Sequence, residues 1–176
     1  MTTSHLPGDI QLSRIASPGG PVIRVLQWAN GTGFDNFEHA RVYVGDGLFA
    51  EAMPGGAVIR AHDLDGDGTE WDSGLYDLTD QQRAGTVAAA HGYVAAHVGY
   101  SDLDYGSLVL HRLHIRPAWV VRYVQSTGHM ICSQFAARCR YDGGAPFWDE
   151  WTGDCTPGDI DQLIVARERA RSGGVG

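Results

Sequence analysis

Lysine is absent from the 176-residue sequence, and all 13 basic residues are arginines. These arginines are scattered along the chain without forming a basic cluster, and the formal net charge is −8. A protein that binds duplex nucleic acid or an anionic membrane surface needs a basic face, so neither partner is expected. The arginine-only usage, together with 24 glycines, is typical of a GC-rich coding sequence rather than of a functional device.

Long hydrophobic runs are also missing. No run approaches the roughly 18 apolar residues that a membrane helix requires. The first residues, "MTTSHLPGDIQL", lack the basic and then apolar pattern of a secretory signal. We therefore expect a cytoplasmic protein without a membrane span, with phage-borne or otherwise delivered action left open.

Cysteines are few and odd in number: Cys132, Cys139 and Cys155. Without an export signal, free thiols are expected rather than a disulfide framework. The length and the 43% hydrophobic content suit one domain spanning 1–176, with a frayed, glycine-rich tail from about residue 170. The sequence indicates no cofactor and leaves the oligomeric state open.

Alternation of apolar and polar residues predicts short strands. The segments concerned are 9–12, 39–45, 48–52 and 57–61. The "GDG" at 45–47 is typical of a hairpin turn. With both strands and helices predicted along the chain, the expected fold class is α+β.

The clearest helix is predicted over 79–99, where Thr79 and Gln82 form a capping box and Gly99 ends the helix. His91 and His97 are assigned to this helix. Other segments are assigned as follows: 21–30 a short helix or irregular, 105–115 a strand or short helix, a helix from Pro117 ending before Gly128, and a helix over about 131–141.

The stretch "HMICSQFAARC", 129–139, carries the candidate nucleophile. On a helix, Cys132, Phe135, Ala136 and Cys139 form one apolar stripe. Cys132 lies at the N-terminal edge, where the helix dipole lowers a thiol pKa and free backbone N–H groups can hold an oxyanion. Cys139 lies two turns further on and is assigned to the core. A buried structural role remains the alternative for Cys132.

A thiol nucleophile needs a base and a group that orients the base. Among eight histidines, His39 begins a predicted strand on the face opposite its aliphatic residues. A turn centred on Asp46 places Arg41 opposite Glu51 and leaves Glu51 diagonal to His39. Glu51 therefore either orients His39 or pairs with Arg41 across the strands.

The ordered set "PGDI" (7–10), "HARVYVGDGLFAEAMPGGAVIRAHDL" (39–64), "ICSQFAARCRYDGGAPF" (131–147) and "TPGDIDQLI" (156–164) resembles the NlpC-type cysteine hydrolase superfamily. It is most similar to the circularly permuted branch, which includes bacterial YiiX-like proteins and the lecithin:retinol acyltransferase group. The histidine, the polar residue twelve positions later and the cysteine occur in that branch's order.

This resemblance implies a permuted papain-like fold, with a small antiparallel sheet packed against helices and the nucleophile at a helix N-terminus. It implies a thiol-dependent hydrolase, peptidase or acyltransferase acting on an amide or ester of a cell-wall peptide or lipid-like substrate. Cys132 is then the nucleophile, His39 the base and Glu51 the orienting acid.

Two further site residues follow from comparison with the family pattern. The usual glycine two residues after the histidine is Arg41 here, which is expected to select an anionic substrate, to pair with Glu51 or to fill the cleft. The family's aromatic hydroxyl is assigned to Tyr105, with Tyr100 as the rival. Both Arg41 and Tyr105 are thus candidate substrate-binding residues.

The alternative function is a non-catalytic binding or structural module that keeps this fold. A calcium loop at 63–74 would suit it, since Asp63, Asp65 and Asp67 occupy the first ligand positions, but Gly74 stands where the bidentate glutamate belongs. A solvated acidic turn is the competing interpretation. The pair in "HRLH", 111–114, has no third ligand nearby. No metal is expected.

Overall fold

The computed structural model describes residues 5–14, 37, 39–53, 55–66, 68–98, 132–149 and 155–173. In these ranges the fold is α+β, with a five-stranded antiparallel sheet and helices. The strands are β1 (Ile10–Ser13), β2 (His39–Gly45), β3 (Leu48–Met53), β4 (Gly56–Ala61) and β5 (Thr69–Trp71), in the spatial order β4-β3-β2-β1-β5. The helices are α1 (Asp80–Ala95), α2 (Cys132–Asp142) and α3 (Pro157–Gly173).

The hairpin between β2 and β3 confirms the predicted strands and turn. Gly45, Asp46 and Gly47 have φ angles of 109°, 54° and 71°, a left-handed run that glycine and aspartate accept more readily than other residues. Val42 faces Ala50, and a register shift follows near Gly45. Continued towards the start of β2, this register places Arg41 opposite Glu51.

Both faces of the central strands are buried. The apolar face of β1, β2 and β3 packs into the main core with the stripe of α2. This core includes Ile10, Leu12, Ala40, Val42, Ala50, Phe135, Ala136 and Cys139. The opposite face carries the polar side chains, and they too are withdrawn from solvent: Gln11, Ser13, His39, Arg41 and Glu51.

Helix α1 begins as predicted but ends earlier. Thr79 and Gln82 form the capping box, whereas the helix stops at Ala95, so the predicted end at Gly99 and the helical assignment of His97 are wrong. His97 adopts a φ of 50°, and its N–H donates to Val94 O at 3.0 Å. The next N–H, that of Val98, donates to Tyr93 O at 3.1 Å. This Schellman pattern satisfies the last carbonyls without glycine.

The acidic segment 63–74 contains a strand that the sequence analysis missed. Residues Thr69–Trp71 pair with β1, so this part is not a solvated turn. The backbone N–H of Asp65 donates to Asp63 Oδ1 at 3.1 Å. Among the described residues no group of three or more histidine, cysteine or acidic side chains is arranged for a metal. Asp67 lies outside those residues.

A buried pair of opposite charges joins the sheet to α2. Asp72 and Arg140 are 2% and 0% exposed, and Arg140 Nη2 lies 3.2 Å from Asp72 Oδ2. Asp72 also accepts the backbone N–H of Ile10 at 2.7 Å. The Arg140 guanidinium lies 4.8 Å from the ring centroid of Tyr76 and 5.1 Å from that of Phe147. No local sequence pattern pointed to this pair.

The two "PGD" turns have different structural roles. In the first, Asp9 binds the Arg83 guanidinium at 2.6 Å and so ties the start of β1 to α1. In the second, Pro157 is the first residue of α3, where proline is well tolerated. This helix continues to Gly173, beyond the point where fraying was expected, with its last turns exposed. None of the helices in the described ranges has the length and apolarity needed to cross a membrane.

Candidate active site

Helix α2 begins at Cys132, whose side chain is 1% exposed. The first-turn N–H groups of a helix have no partner within the helix, so this position favours negative charge. Cys139, two turns further on, lies in the core as expected, and burial raises the pKa of its thiol well above the usual range. Cys155 is also buried, and no disulfide joins the three cysteines, all of which lie in the described part of the chain.

His39 is the first residue of β2 and contacts two candidate residues at once. Its Nε2 lies 2.6 Å from Glu51 Oε2, and its ring is hydrogen-bonded to the Cys132 side chain. Burial by itself lowers the pKa of His39. The charge and hydrogen bond of Cys132, followed by those of Glu51, outweigh burial and raise that pKa to about 9. Proton uptake by His39 is therefore favoured by both neighbours.

Glu51 is held between two histidines. Its Oε1 lies 2.9 Å from His62 Nε2, while its Oε2 binds His39. Burial raises the pKa of Glu51, but the hydrogen bonds and charges of His39 and then His62 prevail and lower it to about 2. The carboxylate, which is 2% exposed, therefore stays ionised across the ordinary pH range.

His62 was missed by the sequence analysis, although the alternation contained a signal. Val58 faces Glu51 across β3 and β4, and positions 58, 60 and 62 fall on one face of an extended chain. His62 directly follows β4 and thus belongs to the face that carries Glu51. Its ring is 29% exposed, which makes it the more accessible of the two histidines that contact the carboxylate.

Arg41 lies on the same face but does not make the ion pair that was one of its predicted roles. No ion pair between Arg41 and Glu51 occurs in the described part of the chain, and the two Glu51 oxygens contact His39 and His62 instead. Arg41 Nη2 instead donates to Ser13 Oγ, and the guanidinium lies 5.6 Å from the ring centroid of Phe49. Burial lowers the pKa of Arg41, while the charges of Glu51 and Cys132 act in the opposite direction.

The structure thus brings Cys132, His39, Glu51 and Arg41 together. Several other predicted features lie outside the described residues. They are Tyr105, its rival Tyr100, the pair at 111 and 114, and the segments 21–30 and 105–128.

Comparison with known proteins finds no matching family model, no matching curated protein and no matching solved structure. The resemblance of this chain to the permuted NlpC-type branch therefore rests on the order of the motifs in its sequence.

Proposed function

We propose that this protein is a thiol-dependent hydrolase or acyltransferase that acts on an amide or ester bond. The observation that carries the proposal is the hydrogen-bonded series from Cys132 through His39 to Glu51. A nucleophile, a base and a group that orients the base are the three parts that covalent acyl transfer requires. Their order along the chain fits the permuted papain-like branch.

The ring geometry of His39 supports a division of labour between its nitrogens. Because Nε2 binds Glu51, Nδ1 is the nitrogen left for the thiol. Glu51 fixes the ring and stabilises the imidazolium, as the acidic member of a triad does. Transfer of the thiol proton to Nδ1 then gives a thiolate and an imidazolium side by side.

In the proposed mechanism the thiolate attacks the carbonyl carbon, and the carbonyl oxygen becomes an oxyanion. The backbone N–H of Cys132, at the start of α2, donates to that oxyanion. His39 returns its proton to the leaving amine or alcohol, which leaves an acyl-enzyme. Water then releases the acid in a hydrolase, whereas an acceptor amine or alcohol takes the acyl group in a transferase.

Selective alkylation tests this function before any substrate is known. We expect iodoacetamide at about pH 6 to modify Cys132 well before the other two thiols, because only a thiolate attacks and the proposed imidazolium of His39 lies beside the Cys132 thiol. Peptide mass spectrometry over a time course measures the three rates, and Cys132→Ser serves as the labelling control. A non-catalytic module with the same fold predicts equal, slow rates for Cys132, Cys139 and Cys155.

A further inference from the structure

Three buried polar side chains form a row across the sheet, next to the proposed nucleophile. Gln11 faces Arg41 across β1 and β2, and the register of β2 and β3 continues the row to Glu51. Their exposed fractions are 0%, 8% and 2%. Glu51 is hydrogen-bonded to two histidines, but Gln11 and Arg41 each keep a buried polar atom that has no hydrogen-bond partner among the described residues.

Arg41 is a buried cation whose hydrogen-bonding capacity is not filled. Its Nη2 donates to Ser13 Oγ, yet its Nε has no hydrogen-bond partner within the described part of the chain. Burying a charge without a hydrogen-bonded counter-ion is costly. Nε and Nη2 together form the side of a guanidinium that binds a carboxylate through two parallel hydrogen bonds, and Nη2 carries two hydrogens, of which Ser13 needs one.

Gln11 supplies the complementary atom. Its Nε2 donates to Leu64 O at 3.3 Å and to Asp63 O at 3.4 Å, which fixes the orientation of the amide because carbonyls accept only from the nitrogen. The unpartnered atom is therefore Oε1, an acceptor. An acceptor beside a cation suits a ligand with an N–H or O–H donor next to its negative group.

We infer that Arg41 forms a carboxylate subsite beside Cys132, with Gln11 Oε1 accepting a hydrogen bond from a donor group next to that carboxylate, so that the substrate carries a free carboxylate close to the carbonyl that Cys132 attacks. This inference rests on the proposed function and narrows its substrate class. Arg41 lies two residues after His39 on the same face of β2, and His39 is hydrogen-bonded to the Cys132 side chain, which places the subsite on the side of the sheet that faces the thiol.

Two alkylating reagents of nearly equal size test the subsite. Iodoacetate carries a carboxylate on the carbon that is attacked, whereas iodoacetamide carries a neutral amide there. We expect the rate ratio of iodoacetate to iodoacetamide at Cys132 to exceed the ratio for the same cysteine in the urea-unfolded chain by about tenfold, as one charge-assisted interaction would give. The fraction of Cys132 that is thiolate affects the rates of both reagents equally, and it therefore cancels in their ratio.

The variants distinguish a bidentate contact between the Arg41 guanidinium and the carboxylate from general attraction by positive charge. Arg41→Gln is expected to return the ratio to the unfolded-chain value, and Arg41→Lys to retain only a minor part of the preference. The control is Arg60→Gln, an exposed arginine on β4, which should leave the ratio unchanged. A full preference in Arg41→Lys, or an equal loss in Arg60→Gln, would overturn the subsite in favour of general charge attraction.

A measurement on the unaltered protein keeps the inference testable if a variant fails to fold. Propionate should slow the alkylation of Cys132 by iodoacetamide with saturation, and propionamide should not. If iodoacetamide itself fails to modify Cys132 ahead of the other thiols, the proposed function fails. If Cys132 reacts selectively but the iodoacetate ratio equals the unfolded value and propionate gives no protection, the carboxylate subsite alone fails.

Discussion

Replacing His39 with alanine is expected to slow the alkylation of Cys132 by iodoacetamide at about pH 6 by roughly a hundredfold. In the wild-type protein the pKa of His39 is raised to about 9, so the ring is protonated at that pH and, in the proposed mechanism, stabilises the Cys132 thiolate. Without the ring, a thiol with an ordinary pKa near 8.5 is only about 0.3% ionised at pH 6. The measurement is the second-order rate constant from peptide mass spectrometry.

The control for this variant is His91→Ala, which removes an exposed histidine from α1 and should leave the rate unchanged. The deficit of His39→Ala should shrink as the pH rises to about 9, because the thiol then ionises without help. Circular dichroism establishes that both variants are folded. Equal rates in the two variants would mean that Cys132 does not depend on His39.

Replacing Arg140 with leucine is expected to lower the free energy of unfolding by about 3–5 kcal/mol. The substitution leaves Asp72 buried without its opposite charge, and it removes the cation contacts with Tyr76 and Phe147. The hydrogen bond from the backbone N–H of Ile10 to Asp72 remains, and it still favours the ionised form of the carboxylate. Urea unfolding followed by circular dichroism measures the loss.

A neighbouring arginine provides the matched control. Arg138 lies on the same helix and pairs with Asp142 at 3.1 Å, but both side chains are about one-third exposed. Arg138→Leu should therefore cost only about 0–1 kcal/mol. Similar losses in the two variants would show that burial of the Asp72–Arg140 pair carries no special weight.

The pH dependence of Arg140→Leu follows from Asp72. Burial raises the pKa of Asp72 from 3.8 to about 6, against the opposing charge of Arg140. A folded-state pKa above the unfolded value means that the native state binds the proton more tightly, so the burial penalty diminishes as the pH falls. The destabilisation by Arg140→Leu should accordingly be smaller at about pH 5 than at pH 7.

Local patterns predicted the parts of the fold and site that depend on neighbouring residues. Alternation along 39–45 and the "GDG" turn were enough to put His39 and Glu51 on one face, because the period of a strand and the geometry of a tight hairpin leave few registers. The start of α1 was equally local, since Thr79 and Gln82 cap each other.

The remaining features depend on residues far apart in the sequence. Asp72 and Arg140 meet only after β5 and α2 have packed, and neither lies in a pattern that predicts burial of a charge. Strand β5 is short, polar and recognisable only through its pairing with β1. Whether Glu51 contacts Arg41 or the histidines depends on the relative register of three strands, β2, β3 and β4. A single hairpin does not determine that register.

An NMR titration of the His39 ring, in the wild-type protein and in Cys132→Ser, tests the thiolate–imidazolium pair most directly. We predict a pKa of about 9 in the wild type and a clear decrease in Cys132→Ser, where the main contribution that opposes burial is lost. Because the folded-state pKa exceeds the ordinary 6.5, protonated His39 stabilises the fold below pH 6.5, and this contribution disappears as the pH rises through 9. A ring that titrates near 6.5 in both proteins would contradict the proposed site.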